Sequence, residues 1–471
     1  MLFNSYTFWL FFALVMLLYK LFQHQWQNRM LLAASYFFYG CWDWRFLSLI
    51  MLVTAVNYYV ALGVFGSNDK RRRKLMMAVS IALNLGLLGT FKYFNFFAGE
   101  LVDLLNAFDV SASRPTLQVI LPVGISFYTF QAMSYSLDVY RGQIEPTRNP
   151  RDFALYVAFF PQLVAGPIER SDRLLPQVAN PRVSRPDDFK DGLYLVMLGL
   201  FKKIVIADNL AIIANTIFSQ DPGDLSGAEC LLGIYAFAFQ IYGDFSGYST
   251  IARGLAKWMG FDLMTNFKMP YLARSPSDFW RRWHISLSTW LRDYLYIPLG
   301  GNRGGTFLTC RNLMLTMLLG GLWHGAGWTY LTWGFFHGLI LTIYYQASRR
   351  KLKSDTTPSK LSIFANVVLM FHLVCLGWLF FRAESMTQAT TMLSRMATSL
   401  TWTTFTGDCI ASILFYAGPL MALEYWLEQK KDPMLLTKVH WRYRAMVYSY
   451  FMVMIIIFRP MVPSEFIYFQ F

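Results

Sequence analysis

The chain has 471 residues, of which 55% are apolar, 18% aromatic and only 15% charged, whereas about a quarter of the residues in soluble domains carry charge. Its net charge of +14 is gathered at 70–74, 349–353 and 430–444, beside apolar runs, which marks cytoplasmic loops and argues against a nucleic-acid surface. Cys41, Cys230, Cys310, Cys375 and Cys409 show no metal-ligand spacing, so zinc and iron–sulfur readings fall away. Apolar runs recur from end to end, and the simplest reading is one multi-pass membrane domain over residues 1–460 followed by a tail at 461–471.

A crossing helix needs roughly 20 apolar residues. In chain order, candidates lie at 5–22, 46–65, 75–98, 228–250, 311–346, 361–381, 408–428 and 445–460, with shorter or broken runs at 30–40, 119–140, 152–167 and 190–218. The first run lacks a positive n-region and a small-residue cleavage site, so it reads as a retained span. The expectation is an all-α polytopic protein of roughly ten to twelve crossings, with re-entrant and interfacial pieces. Lys20 and Arg29 put the end of the first span inside, which leaves the N-terminus outside. The basic loops fix the later spans and bring the tail out on the outer face. The sequence carries no internal repeat, which weighs against a transporter.

Residues 264–305 do not behave as a span, because they hold Arg274, Asp278, Arg281, Arg282, His284, Arg292, Asp293 and Arg303. Ser275 reads as an N-cap with Pro276 at the first helical position and Asp278 in the first turn. The helix is expected to run to about Tyr296 and stop at Pro298-Leu299-Gly300-Gly301. On that helix Trp280 would share a face with His284.

Of the six histidines, His24 and His440 lie in basic loops and read as solvated. His284, His324, His337 and His372 lie in or beside apolar segments, where an ionisable group is costly and a functional role is the default. Each also has a bland reading, a neutral ring bonded to a carbonyl or hydroxyl. His372 and His337 have little polar company. His324 stands apart, between Gly320-Gly321 and Gly325 with Gly327, glycines that can break the helix and let backbone approach closely. On a continuous helix His337 would sit roughly 220° round from His324, on another face. Arg281 and Arg282 suit the phosphates of an activated donor, or equally an interfacial Trp/Arg anchor. Gly243-Asp244-Phe245-Ser246-Gly247 lacks the strand–turn–helix of a nucleophile elbow and reads as a small-residue helix interface with Asp244 facing inward. An imidazole base suits acyl transfer from a thioester to a hydroxyl; proton conduction fits the same residues.

Five segments occur in one order: Leu121-Pro122-Val123-Gly124-Ile125-Ser126-Phe127-Tyr128, Pro161-Gln162-Leu163-Val164-Ala165-Gly166-Pro167-Ile168, Trp280-Arg281-Arg282-Trp283-His284, Tyr294-Leu295-Tyr296-Ile297-Pro298-Leu299-Gly300-Gly301 and Leu322-Trp323-His324-Gly325. Together they resemble the membrane-bound O-acyltransferases, in particular the bacterial branch that acylates alginate and teichoic acids. The resemblance implies a ring of helices around a tunnel in the bacterial inner membrane. It makes His324 the catalytic histidine and His284 the second polar position, with Trp280, Arg281, Arg282 and Trp323 beside the donor. It implies no permanently bound cofactor and no metal. The donor would be acetyl-CoA or an acyl-carrier thioester, the acceptor a polysaccharide, and an extracytoplasmic acetyltransferase the partner. The tail Phe466-Ile467-Tyr468-Phe469-Gln470-Phe471 resembles the Phe-x-Tyr-x-x-Phe motif of this branch, in which the tyrosine carries the acyl group briefly. The bland reading of Tyr468 is an interfacial aromatic. Two further functions stay open on the sequence: D-alanyl transfer from a carrier protein, and a non-enzymatic polysaccharide exporter or channel.

Overall fold

The computed structural model describes residues 1–113, 121–350, 359–460 and 466–467, excepting the side chain of Arg350. Every long regular element among them is helical. The chain divides into two compact units, 1–185 with 255–264, and 186–254 with 265–471.

In the first unit the helices are α1 (Tyr6–Leu21), α2 (His24–Asp43), α3 (Leu47–Phe65), α4 (Lys70–Leu88), α5 (Phe94–Ala107), α6 (Ile125–Tyr140), α7 (Pro150–Ala158), α8 (Phe160–Leu163) and α9 (Ser171–Ala179). α3 packs against α4 and α6 through buried amides and hydroxyls. Asn57 bonds Asn84 at 3.2 Å, and Ser80 and Ser136 both donate to its Oδ1. Such bonds join helices where lipid supplies no hydrophobic drive between them.

The second unit holds α10 (Pro186–Leu200), α11 (Asp208–Phe218), α12 (Gly227–Trp258, whose last turn belongs to the first unit), α13 (Pro276–Trp280), α14 (Ile285–Leu291), α15 (Gly305–His324), α16 (Trp328–Arg350), α17 (Lys360–Arg382), α18 (Met386–Thr398), α19 (Thr404–Lys430), α20 (Leu435–Lys438) and α21 (Trp441–Ile457). A wider π-turn, Phe201–Ala207, joins α10 to α11.

Four stretches among the described residues are long and apolar enough to cross a membrane: His24–Phe65, Lys70–Ala107, Lys360–Arg382 and Thr404–Lys430. The expected ten to twelve is a larger count. α12 and α15 are less apolar than these four, since they carry residues such as Gln240, Asp244, Arg311 and Asn312.

Two expectations are corrected. The run 311–346 is two helices, because the chain leaves α15 at His324 and re-enters helix at Trp328. α15 and α16 fold back on each other, and the glycines at their crossing have no room for a Cβ: one on Gly321 would collide with the Tyr330 carbonyl, one on Gly334 with that of Met317. The second correction is the helix after Ser275. Its start is as expected, with the Ser275 hydroxyl accepting from the Asp278 N–H at 3.1 Å and Pro276 at the first position. It ends at Trp280 instead of near Tyr296, and helix resumes only at Ile285. The shared face of Trp280 and His284 is lost with it.

Candidate active site

His284 sits at that break, with φ 41° and ψ 55°, a left-handed conformation that side chains with a Cβ rarely adopt. Pairing with an extended segment upstream holds it there. Ile285 N–H donates to the Asn266 carbonyl at 2.9 Å and Lys268 N–H to the Arg282 carbonyl at 2.9 Å. The backbone groups freed by the broken helix are thereby satisfied, as buried polar backbone requires.

The Asn266 side chain then fixes the imidazole. Its Oδ1 accepts from the Ser286 N–H at 3.2 Å and from the Ser286 hydroxyl at 2.9 Å, and lies 3.2 Å from His284 Nδ1. A backbone N–H can only donate, so the amide oxygen is oriented without ambiguity. The amide nitrogen donates onward to Ser249 Oγ at 3.2 Å. An acceptor beside Nδ1 places the ring proton there and the lone pair on Nε2. Phe245 stands edge-on to the same ring at 4.6 Å, with Trp323 at 6.0 Å. The histidine is buried.

His324 is the last residue of α15, and the extended Gly325 turns the chain away behind it. A Cβ on Gly325 would strike the Tyr330 ring, so the turn tolerates little but glycine. The imidazole, also buried, is surrounded by Trp323 at 4.9 Å, Trp333 at 5.1 Å and Phe381 at 5.2 Å. The rings of His284 and His324 lie 6.5 Å apart. Two imidazoles, forty residues apart in sequence, thus stand together among aromatic rings, a low-dielectric setting that strengthens polar interactions inside it. His337 is buried too, across Trp333 from His324, with its ring 4.8 Å from that indole. His372 bonds the Val368 carbonyl at 2.7 Å, the bland arrangement expected of it.

The residues expected beside a donor divide. Trp323 touches both histidines, whereas Trp280 packs on Trp333 and His337. Arg282 forms a fork on Glu428 at 2.8 and 3.0 Å and a third bond to Asp278 at 2.9 Å. Its charge is already met by two carboxylates, which hold its pKa above the usual guanidinium range against the opposing pull of burial. Arg281 is exposed and bonded to the Ser277 hydroxyl.

Tyr468 lies outside the described residues, but the two residues before it do not. Phe466 and Ile467 are buried. The Ile467 N–H donates to Asp244 Oδ2 at 2.6 Å. The Phe466 ring lies 5.0 Å from that of Tyr248 and 6.5 Å from that of Phe245, the residue that flanks His284. As expected, Asp244 faces inward from a small-residue interface. A Cβ on Gly243 would come 2.8 Å from the Lys202 carbonyl, and one on Gly247 2.8 Å from the Gly199 carbonyl.

Sequence reasoning missed Asn266 and Ser286 and the buried ion pairs Lys203–Asp208, Lys203–Asp244 and Lys202–Glu424, at 2.7, 2.7 and 3.0 Å. The rule that an ionisable residue in an apolar run is functional until shown otherwise singled out the histidines. Applied to 190–218, 228–250 and 408–428, it would have singled out the members of these pairs.

Comparison with known proteins shows the family. Residues 147–387 match the membrane-bound O-acyltransferase family model. The chain is 45% identical over 406 residues to a probable alginate O-acetylase of Pseudomonas putida, covering 85% of this chain and 81% of the relative. It is 36% identical over 394 residues to a peptidoglycan O-acetyltransferase of Helicobacter pylori, covering 78% and 73%. A teichoic acid D-alanyltransferase of Bacillus subtilis is 27% identical over 284 residues, covering 58% and 71%. The chain therefore belongs to the membrane-bound O-acyltransferases and is an acyltransferase.

Proposed function

We propose that the protein is an inner-membrane O-acetyltransferase subunit that takes an acetyl group from cytosolic acetyl-CoA, loads it on Tyr468, and presents it on the outer face. There an extracytoplasmic partner passes it to hydroxyls of a bacterial exopolysaccharide or cell-wall polysaccharide such as alginate. Both termini lie outside in this reading. The observation that carries it is the docked dipeptide Phe466–Ile467, which brings the tail to within one aromatic ring of His284.

His324 and His284 divide the proton work. One imidazole takes the phenol proton of Tyr468, the phenolate oxygen attacks the thioester carbonyl, the carbon–sulfur bond breaks, and the thiol leaves with a proton. A phenol with an ordinary pKa of about 10 is within reach of such a base, and its ester is a better acyl donor than a sugar ester. The relay divides one cross-membrane transfer into two easier steps. Trp323 and Arg281 contribute to the donor side, with Trp280 behind them, while Arg282 anchors the segment on Glu428. Acetyl is favoured over D-alanyl because relatives at 45% and 36% identity are named as O-acetyl enzymes and a D-alanyl relative stands at 27%.

The test is mass spectrometry of the C-terminal peptide after purified protein meets acetyl-CoA. The expected result is one acetyl on Tyr468, absent from Tyr468→Phe and His324→Ala. A preparation that turns over acetyl-CoA without labelling Tyr468 sinks the relay. Labelling only from a D-alanyl carrier assigns the other donor.

A further inference from the structure

Lys203 and Asp208 have no part in the acyl transfer described above, yet they end on the residue that touches the tail. The π-turn after α10 turns two consecutive lysines inward, and both are buried. Lys203 reaches Asp208 on α11 and Asp244 on α12, each at 2.7 Å. Lys203 thus bridges the two carboxylates in a buried setting, where a charge needs partners. Asp244 uses one oxygen for Lys203 and the other for the Ile467 N–H. The tail's backbone N–H therefore meets a carboxylate already held by Lys203, through a charge-assisted bond of the stronger kind. Phe466 adds an aromatic contact on the next turn of the same helix, at Tyr248. Among the described residues the tail is thus held at the Ile467 N–H, by the Phe466 ring and by the buried Ile467 side chain.

We infer that Asp244 is a docking residue for the C-terminal tail: its carboxylate, oriented by Lys203 and Asp208, captures the Ile467 N–H and so positions the following residue for acylation near His284. The docking is a property of Asp244 and Ile467, while its purpose rests on the acyl-tail reading above. Asp244 is a positioning residue, since it touches the tail's backbone and no reacting atom.

Hydrogen exchange on the full-length protein tests it, read on the C-terminal peptic peptide. In the native chain the Ile467 amide is slow. Asp244→Ala releases it by about tenfold or more, the effect of losing one charge-assisted bond, while amides of α10 and α12 stay protected and certify the fold. His324→Ala leaves the Ile467 amide slow. From the tail side, Ile467→Pro removes the donor without touching the helices and lowers Tyr468 acetylation by about tenfold or more, and Ile467→Ala, which keeps the N–H, lowers it far less. An Ile467 amide that exchanges equally fast in native and Asp244→Ala protein overturns the docking. A slow amide released by Asp244→Ala, in a protein that never acetylates Tyr468, upholds the docking and overturns the relay.

Discussion

Replacing Asn266 with alanine tests the orientation of His284. The substitution removes the one oxygen that serves the Ser286 N–H, the Ser286 hydroxyl and His284 Nδ1. The hydroxyl can rotate to another acceptor. The ring N–H can turn to Ser286 Oγ, 3.4 Å away, but the backbone N–H cannot turn, and a buried donor left unmet costs about 1–3 kcal/mol, which the segment around His284 should lose. Catalysis should suffer independently. Loss of an outer partner that orients a histidine costs about 10–100-fold, and loss of tautomer control in a catalytic triad about 10⁴-fold, which brackets the expected fall in kcat. Asn266→Asp is the control, because a carboxylate accepts from all three donors and keeps the Nδ1–H tautomer. The assay is acyl transfer at saturating donor, with kcat and KM separated. An Asn266→Ala enzyme with kcat within about threefold of native would refute the argument that Nδ1 must be held.

Three more substitutions probe the framework. Gly247→Val places a side chain where even a Cβ lies 2.8 Å from the Gly199 carbonyl; detergent melting should show a loss of about 1–3 kcal/mol or more, whereas Gly418→Ala, with nothing within 4 Å, should be neutral or slightly stabilising. Lys202→Met strands the buried Glu424 beside Tyr242 and should cost about 3–5 kcal/mol, with the double Lys202→Met/Glu424→Leu recovering a large part; equal melting of the single and double variants would contradict the pairing. At 284, glycine should be more stable than alanine by about 1 kcal/mol, because left-handed backbone strains any residue with a Cβ. The ordinary ranking, alanine above glycine, would mean that this backbone is not strained.

How much of this was legible depends on the range over which each feature is determined. The start of α13 was readable because Ser275, Pro276 and Asp278 act on their own turn. Its early end was not, since the break is fixed by Asn266 and Lys268, more than a dozen residues upstream, through backbone bonds that leave no mark in hydropathy. His324 was readable because its glycines are adjacent, and the same glycines gave the hairpin that the single run 311–346 had hidden. The inward Asp244 was foreseen from its small neighbours. Its bond to a backbone N–H 223 residues away was not, because any residue but proline offers that N–H. Arg282, for which a donor phosphate and an interfacial anchor were equally open, is the reverse case. Its sequence neighbours suggested a phosphate, while the carboxylate it grips, Glu428, lies 146 residues on.

The two histidines come within 6.5 Å of each other by the same device. Among the described residues only four non-glycine positions have positive φ, Asp109, Met269, His284 and Lys431, and two of these fall in the segment 264–305. Each histidine stands where helix stops: His324 at the end of α15, His284 at the start of α14. A residue inside a continuous helix projects among its own i±3 and i±4 neighbours, which limits how near two such side chains from separate helices can come without opening a void. A residue at a helix end escapes that limit, but its backbone groups then need partners. The bonds to Asn266 supply them at His284, and the Gly325 N–H bonded to the Gly321 carbonyl does so at His324. The strain at φ 41° is therefore local and fully supported, the pattern expected where geometry is kept for chemistry and not for stability.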